Sequence, residues 1–346
     1  IYSFPIISFS GIITNLIIIL IIKKKDNEKI LNLSDKNSKR MFDYILINSV
    51  LCIIECIVSS FTLISECLGT ESLFCSTIME YETTQNIKIY FVSYFGEAIK
   101  TTSVLIQLLF SFERYKITLD CKTESKLFKI NLIWIAIASF FVGLLTSYTK
   151  VNEYSILGKY LAQTESPELY IFYLIKFNEW FKITIYIIHY ILNDFILLML
   201  NLIIDILLVI QIRKDLKTKK EIAIKNHQIH SLTTTLNQNS LKEKQFQEKL
   251  NDIKKVNKNT IKLIVYSFLL YSFCRFPELC FYMYLILSDT KNNFIMTTLG
   301  PLGVNVVEYF YVVSYSFNIL FYFKFNKNFR DAFKNFFGTK KITDEK

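Results

Sequence analysis

Residues 105–115 read LIQLLFSFERY. An apolar run ends abruptly at Glu113-Arg114-Tyr115, and Lys116, Lys122, Lys126 and Lys129 follow within the next turns of chain. A helix that is apolar along its length and turns acidic, then cationic, then aromatic at one end is leaving hydrocarbon for a basic aqueous boundary. The reading of the whole chain depends on whether other segments do the same.

They do. The chain has 346 residues, of which 52% are hydrophobic, with a formal net charge of +10. Soluble domains average nearer ~45–50% apolar, and uninterrupted apolar runs of ~20 residues mark membrane spans. Seven segments reach spanning length: 4–22, 43–65, 89–112, 130–148, 182–211, 261–287 and 299–323. Each is long enough to cross ~30 Å of hydrocarbon as a helix. The expected fold is therefore an all-α seven-helix membrane bundle over residues 1–323, with 324–346 as a separate tail. The first segment lacks a basic leader and a small-residue cleavage site, so it reads as a span and not as a signal peptide.

Charge sets the orientation, because Lys and Arg favour the cytoplasmic side of short loops. The stretch after the first span carries Lys23, Lys24, Lys25, Lys29, Lys36, Lys39 and Arg40. The loops after the third and fifth spans and the C-terminal tail are equally basic, so that 31 of the 40 Lys and Arg lie on one side. The opposite loops hold only Lys88, Lys150, Lys159, Lys176 and Lys291. The N-terminus is expected outside and the C-terminus in the cytoplasm of a multi-pass plasma-membrane protein. The one long soluble piece is 212–260, whose centre, 231–240, is rich in Thr, Asn, Gln and Ser. His227 and His230 are spaced HxxH there, and a solvated loop accounts for both. No CxxC pair and no glycine-rich phosphate loop occurs. Neither enzyme chemistry nor a metal, cofactor or nucleic-acid partner is expected.

The motifs fall in a definite order. Gly11-Ile-Ile-Thr-Asn15 lies in the first span and Trp134 in the fourth. Cys274-Arg275-Phe276-Pro277, with Tyr271 ahead of it, lies in the sixth. Asn318-Ile-Leu-Phe-Tyr322 lies in the seventh, followed by Phe329-Arg330 and Phe333. With Glu113-Arg114-Tyr115 closing the third, this order resembles the rhodopsin-like (class A) G-protein-coupled receptors from Gly11 to Phe337. The resemblance implies a receptor that passes the binding of an extracellular ligand to a heterotrimeric G protein. It implies that Glu113, Arg114, Tyr115, Asn257, Tyr271, Cys274, Arg275, Pro277, Asn318 and Tyr322 form the coupling and activation switch. Pro277 lacks an N–H and would kink its helix into a hinge. Phe325, Phe329, Phe333 and Phe337 repeat every four residues, with Lys324, Lys327, Arg330 and Lys334 on the other faces. This pattern predicts a short amphipathic eighth helix on an acidic leaflet.

Several positions depart from the family. Asn48 fits its second-helix Asn, which puts Ile53 where it has Asp, with Glu55 two residues on. The fifth span has no Pro, and Arg275 and Ile319 stand where the family has Trp and Pro. The usual extracellular disulfide cannot form, because neither the outer end of the third span nor 149–181 holds a cysteine. Cys67 and Cys75 share the loop after the second span, with Gly69-Thr70 available for a turn. A local disulfide is the hypothesis there, against two free thiols.

Ionisable residues inside spans are costly and usually face a cavity or a partner. Glu97 and Lys100 are three apart and can pair along one helix face. The resemblance places Lys100, Arg275 and Glu308 at cavity-lining positions; with Glu97 they are the candidate ligand-binding set. Interhelical glue is the competing reading of these charges. Glu55, Asp194 and Asp205 find no obvious role. The outer loops carry nine acidic residues against five lysines, which favours a cationic ligand, a small peptide in preference to a monoamine. A seven-helix transporter or proton-coupled protein using the intramembrane carboxylates is the alternative. It predicts inverted repeats and glycine-broken helices, and neither is visible. Where the family often holds its third-helix Arg with an acidic residue on the sixth helix, this chain has Asn257 among Lys254, Lys255 and Lys258. Arg114 is left to Glu113, Asn257 or Tyr322, and ligand-independent signalling is expected.

The lysine asymmetry yields the first test. An epitope tag after Lys346 should bind antibody only in permeabilised cells, and one before Ile1 in intact cells. The reverse pattern would exclude this orientation.

Overall fold

A computed structural model of the protein describes residues 3–62, 82–118, 131–148, 151, 191–231, scattered positions between 261 and 280, and 300–338. Every element among them is helical. Helix α1 spans Ser3–Lys23, a short α2 Asn27–Ile30, and α3 Lys36–Thr62. Helix α4, Glu82–Asn86, runs through a wider π-helical stretch, Ile87–Phe95, into α5, Gly96–Thr118. Helix α6 is Leu132–Ser147. A second π-helical stretch, Ile191–Ile196, leads into α7, Leu197–Ser231. Helix α8 is Gly300–Phe325 and α9 Lys327–Phe336. Two of these are long and apolar enough to cross a membrane, over Pro5–Lys23 and Lys36–Phe61, and α6 is a shorter apolar helix.

Local chemistry sets the helix ends. The Asp35 carboxylate accepts from the Ser38 amide at 2.9 Å and starts α3 ahead of its apolar run. Those Ser38 bonds hold the exposed Asp35 carboxyl below the usual carboxylate range. Asn131 accepts from Ile133 N at the start of α6, and Asn326 from Phe329 N at the start of α9. The sequence reading treats 212–260 as loop, whereas α7 continues helical to Ser231. Residues 212–231 contain no Gly or Pro, and Asp215 with Lys219 and Lys217 with Glu221 fall four apart, so helix propensity carries the run onward.

The packing partners fix the direction of each helix. Gly11 in α1 faces Cys56 in α3, while Ile18 and Ile21 cluster with Phe42 and Ile45, so α1 and α3 are antiparallel. Arg40 meets Glu113, Asn48 meets Ser103 and Val58 meets Gly96, so α3 and α5 are antiparallel as well. Gly143 touches Ala98 near the start of α5 and Leu132 packs with Ile106, so α6 runs against α5. Helix α8 packs on α1 through Tyr315 and Ser316, and α9, which follows it directly, packs at the C-terminal end of α1 through Ile21 and Lys24, so α8 runs parallel to α1. The C-terminal ends of α1, α5 and α8 and the N-terminal end of α3 therefore share one end of the bundle. That end carries the basic segments.

Small residues and amides hold this arrangement. Asn15 Nδ2 donates to Gly11 O at 2.8 Å and across to Tyr315 O at 3.2 Å. A Cβ on Gly11 would lie 2.6 Å from Cys56 Sγ. Gly11 thus permits a close helix approach, and Asn15 supplies an amide bond across helices. At the basic end, Asn27 is fully buried; its amide donates to Ile21 O and its Oδ1 accepts from Asn335 Nδ2 at 2.9 Å. Lys24 Nζ donates to Asn335 O at 3.3 Å. Helix α9 is thus tied to the α1–α3 turn. Its Phe329 and Ala332 are buried against Ile18, Ile21, Leu31 and Phe42, while Phe337 is half exposed. The phenylalanine stripe of the sequence divides, its middle entering the protein core. The Phe325 side chain lies outside the described residues.

Helices α5 and α6 approach closely at Gly143. A Cβ on Gly143 would sit 2.5 Å from the Ala98 carbonyl oxygen, which itself accepts from Thr102 Oγ1 at 2.6 Å. Backbone there cannot move aside cheaply, and overpacking of this kind costs about 1–3 kcal/mol. Gly143→Ala should lower the thermal unfolding midpoint of the purified chain by several degrees. An unchanged midpoint would contradict the close approach.

Candidate functional site

The basic end of the bundle gathers a group of charged side chains with defined partners. The Glu113 carboxylate, 7% exposed, faces α3. Arg40 Nε donates to Glu113 Oε1 at 2.6 Å, and the Tyr44 hydroxyl joins the same carboxylate. A buried carboxylate needs such a partner, since removing one member of a buried pair strands the other. The residue next along, Arg114, turns the other way. Its guanidinium lies 5.3 Å from the Phe110 ring centroid and within electrostatic range of Asp205 on α7 and Tyr322 on α8. Asp205 in turn accepts a hydrogen bond from Ser111, one turn before Arg114 on α5. Tyr115 packs against Leu208, Ile212 and Ile264. Three consecutive residues thus address three surroundings: Glu113 binds α3, Arg114 faces α7 and α8, and Tyr115 packs against α7 and the helical positions after 261.

The sequence expectation gave Glu113 to Arg114; the structure pairs it with Arg40 instead, because adjacent residues on a helix point ~100° apart. Tyr322 lies within electrostatic range of Arg114, and its ring packs 5.8 Å from Phe329. Asp205, which the sequence left without a role, completes the group. Its signal was present: Leu198, Asn201, Leu208 and Ile212 are buried at spacings of three, four and seven, and Asp205 falls on that same face.

A second polar group lies deeper in the bundle. Ser103 Oγ donates to Asn48 Oδ1 at 2.9 Å, and Asn48 Nδ2 reaches Cys52 Sγ at 3.7 Å. Glu55 is buried beside them on α3, at 2% exposure. Farther along α5, Lys100 Nζ stands 3.8 Å from Glu97 Oε2 and 4.9 Å from the Tyr311 ring centroid. The paired charges expected at this level are there, and Lys100 adds a cation–π contact to α8. Cys274 is buried and Pro277 half-buried in the helical positions between 261 and 280. Glu308 and Asn318 lie on α8, with side chains outside the described residues. Asn257, Tyr271, Arg275, Cys67 and Cys75 also lie outside them. No group of His, Cys, Asp or Glu suited to a metal occurs among the described residues.

No protein-family model matches the chain, and no curated protein matches it.

Both partners of the Arg40–Glu113 pair are largely buried, with side chains 16% and 9% exposed. Breaking such a pair from one side costs about 3–5 kcal/mol. Arg40→Ala should therefore lower the thermal midpoint markedly, and Arg40→Ala with Glu113→Ala should recover much of the loss. A double variant no more stable than Arg40→Ala would show that a stranded carboxylate is not the cause.

Proposed function

We propose that the chain is a seven-helix plasma-membrane receptor of the rhodopsin-like kind. Its N-terminus lies outside, its C-terminus in the cytoplasm, and a heterotrimeric G protein is its inner partner. The observation that carries this reading is that α5, with Arg114, and α8, with Tyr322, end together at the basic end of the bundle, where Asp205 of α7 lies within electrostatic range of Arg114. The sequence motif that named Arg114 and the one that named Tyr322 lie some two hundred residues apart, and an antiparallel helix order brings them together. The Asn15 bond to α8 and the Asn48–Ser103 bond support the same order.

In this reading an extracellular ligand enters from the end nearer Glu97 and Lys100, with Arg275 and Glu308 completing the cavity. The excess of acidic residues in the outer loops favours a cationic peptide. Binding shifts the bundle toward a packing in which the helix carrying Pro277 swings away at its basic end. Arg114 and the basic ends of the neighbouring helices are then exposed to the G protein. This is a population shift between two packings and involves no bond chemistry. No cofactor takes part.

The test is guanine-nucleotide exchange. The chain in nanodiscs should accelerate exchange on at least one of a panel of purified heterotrimeric G proteins when screened with cationic peptides. Arg114→Ala should abolish the acceleration while the protein remains folded. Acceleration that survives Arg114→Ala, or none across the panel, would refute the reading.

A further inference from the structure

We propose that α9 is a strap that holds the basic end of α8 to the α1–α2 corner, and that the buried Asn27 is the positioning residue that fastens it. The consequence for signalling rests on the receptor reading, whereas the fastening stands on the contacts themselves.

The strap is secured at both ends. One residue, Asn326, separates α8 from α9. Its backbone N–H donates to Tyr322 O at 3.0 Å, and its side chain accepts from Phe329 N at 3.1 Å. This cap sets the direction in which α9 leaves α8. The ten residues of α9 then run about 15 Å at the usual rise. At the far end Asn335 Nδ2 donates to Asn27 Oδ1 at 2.9 Å, and Lys24 Nζ donates to Asn335 O at 3.3 Å. The Lys24 ammonium also lies 5.6 Å from the Phe336 ring centroid. A cation at the last carbonyls of a helix suits the negative end of its dipole.

Asn27 is fully buried, and its amide nitrogen donates to Ile21 O at 2.9 Å. Removing Asn335 takes away the donor from which a buried oxygen accepts, and that loss exceeds the loss of an exposed bond. Between the two ends, Phe329 and Ala332 cluster with Ile18, Ile21, Leu31 and Phe42. Ile319 of α8 belongs to the same cluster, and Tyr322 packs against it with its ring 5.8 Å from Phe329. The basic end of α8 therefore shares its packing with the strap. Moving the Tyr322 turn away from α1 must lift α9 from α2 or break the Asn326 cap. The amide latch is the part of the strap that one substitution opens without a cavity in the apolar cluster.

The experiment uses the full chain in nanodiscs without ligand, as wild type, Asn335→Ala, Asn27→Ala and the Asn27→Cys/Asn335→Cys double variant, oxidised and reduced. The two side chains are already in contact, so a disulfide can replace the amide pair. Hydrogen–deuterium exchange reads residues 327–336 and 319–325, with α6 as the internal standard. Asn335→Ala should speed amide exchange about tenfold in both segments and leave α6 unchanged. The oxidised double variant should keep wild-type protection in both, and reduction should release it. Ligand-free nucleotide exchange on the G-protein panel should rise about threefold or more in Asn335→Ala and in the reduced double variant, and return to the wild-type level on oxidation. Unchanged protection of 327–336 in both Asn335→Ala and Asn27→Ala would overturn the latch. Faster exchange in 327–336 with 319–325 unchanged would overturn the strap. Faster exchange in both segments with nucleotide exchange equal to a peptide-responsive wild type would overturn the restraint on signalling. No nucleotide exchange from any form, peptide-treated wild type included, would remove the receptor reading, and the amide exchange alone would then decide the strap.

Discussion

A charge placed inside a helical bundle must be answered by another side chain, and this requirement organises the basic end of the molecule. Glu113 is nearly inaccessible to water, and Arg40 at 2.6 Å is what allows its carboxylate to stay there. That contact pins the first turn of α3 to the last turns of α5. The pinning sets the register in which Asn48 meets Ser103 and Val58 meets Gly96. With that register set, Arg114 is rotated away from α3 and delivered to α7 and α8. The direction in which Arg114 faces is a consequence of where its neighbour Glu113 is anchored.

The helices themselves were largely legible. Apolar runs placed α1, α6 and α8 within two residues of their observed bounds, whereas α3 starts seven residues before the apolar run and the helix through α5 extends to Thr118, six residues beyond it. The phenylalanine period announced α9, and the i,i+3 spacing announced the Glu97–Lys100 pair. What the sequence did not reveal depends on rotation about helix axes. Glu113 and Arg114 are neighbours in the chain, yet they serve opposite sides of α5. Asp205 looked like an isolated charge until α7 was set against Ser111. Phe329 belonged by period to a lipid-facing stripe, but the α1–α3 turn folds over it and buries it. Composition records that a residue is polar or apolar, and only the packing records what it meets.

The amide groups play a part distinct from the charges. Asn15, Asn27 and Asn48 each make bonds that join separate segments, and each is buried. A neutral amide offers donors and acceptors without the solvation cost of a full charge. It therefore joins helices where no counter-ion is available. Charged pairs occupy the two ends of the described bundle, and amides occupy the interior and the α9 contact.

The length of α7 has a mechanical meaning. Beyond Ile212, where it packs with Tyr115 and Ile264, the helix continues to Ser231 for a further ~28 Å at the usual rise per residue. A rod amplifies small rotations about the region where it is packed. A tilt of about 10° at Ile212 would carry the far end through about 5 Å at that rise. A small repacking of Tyr115 against Leu208 and Ile212 is in this way geared up to a displacement of about half the width of a helix.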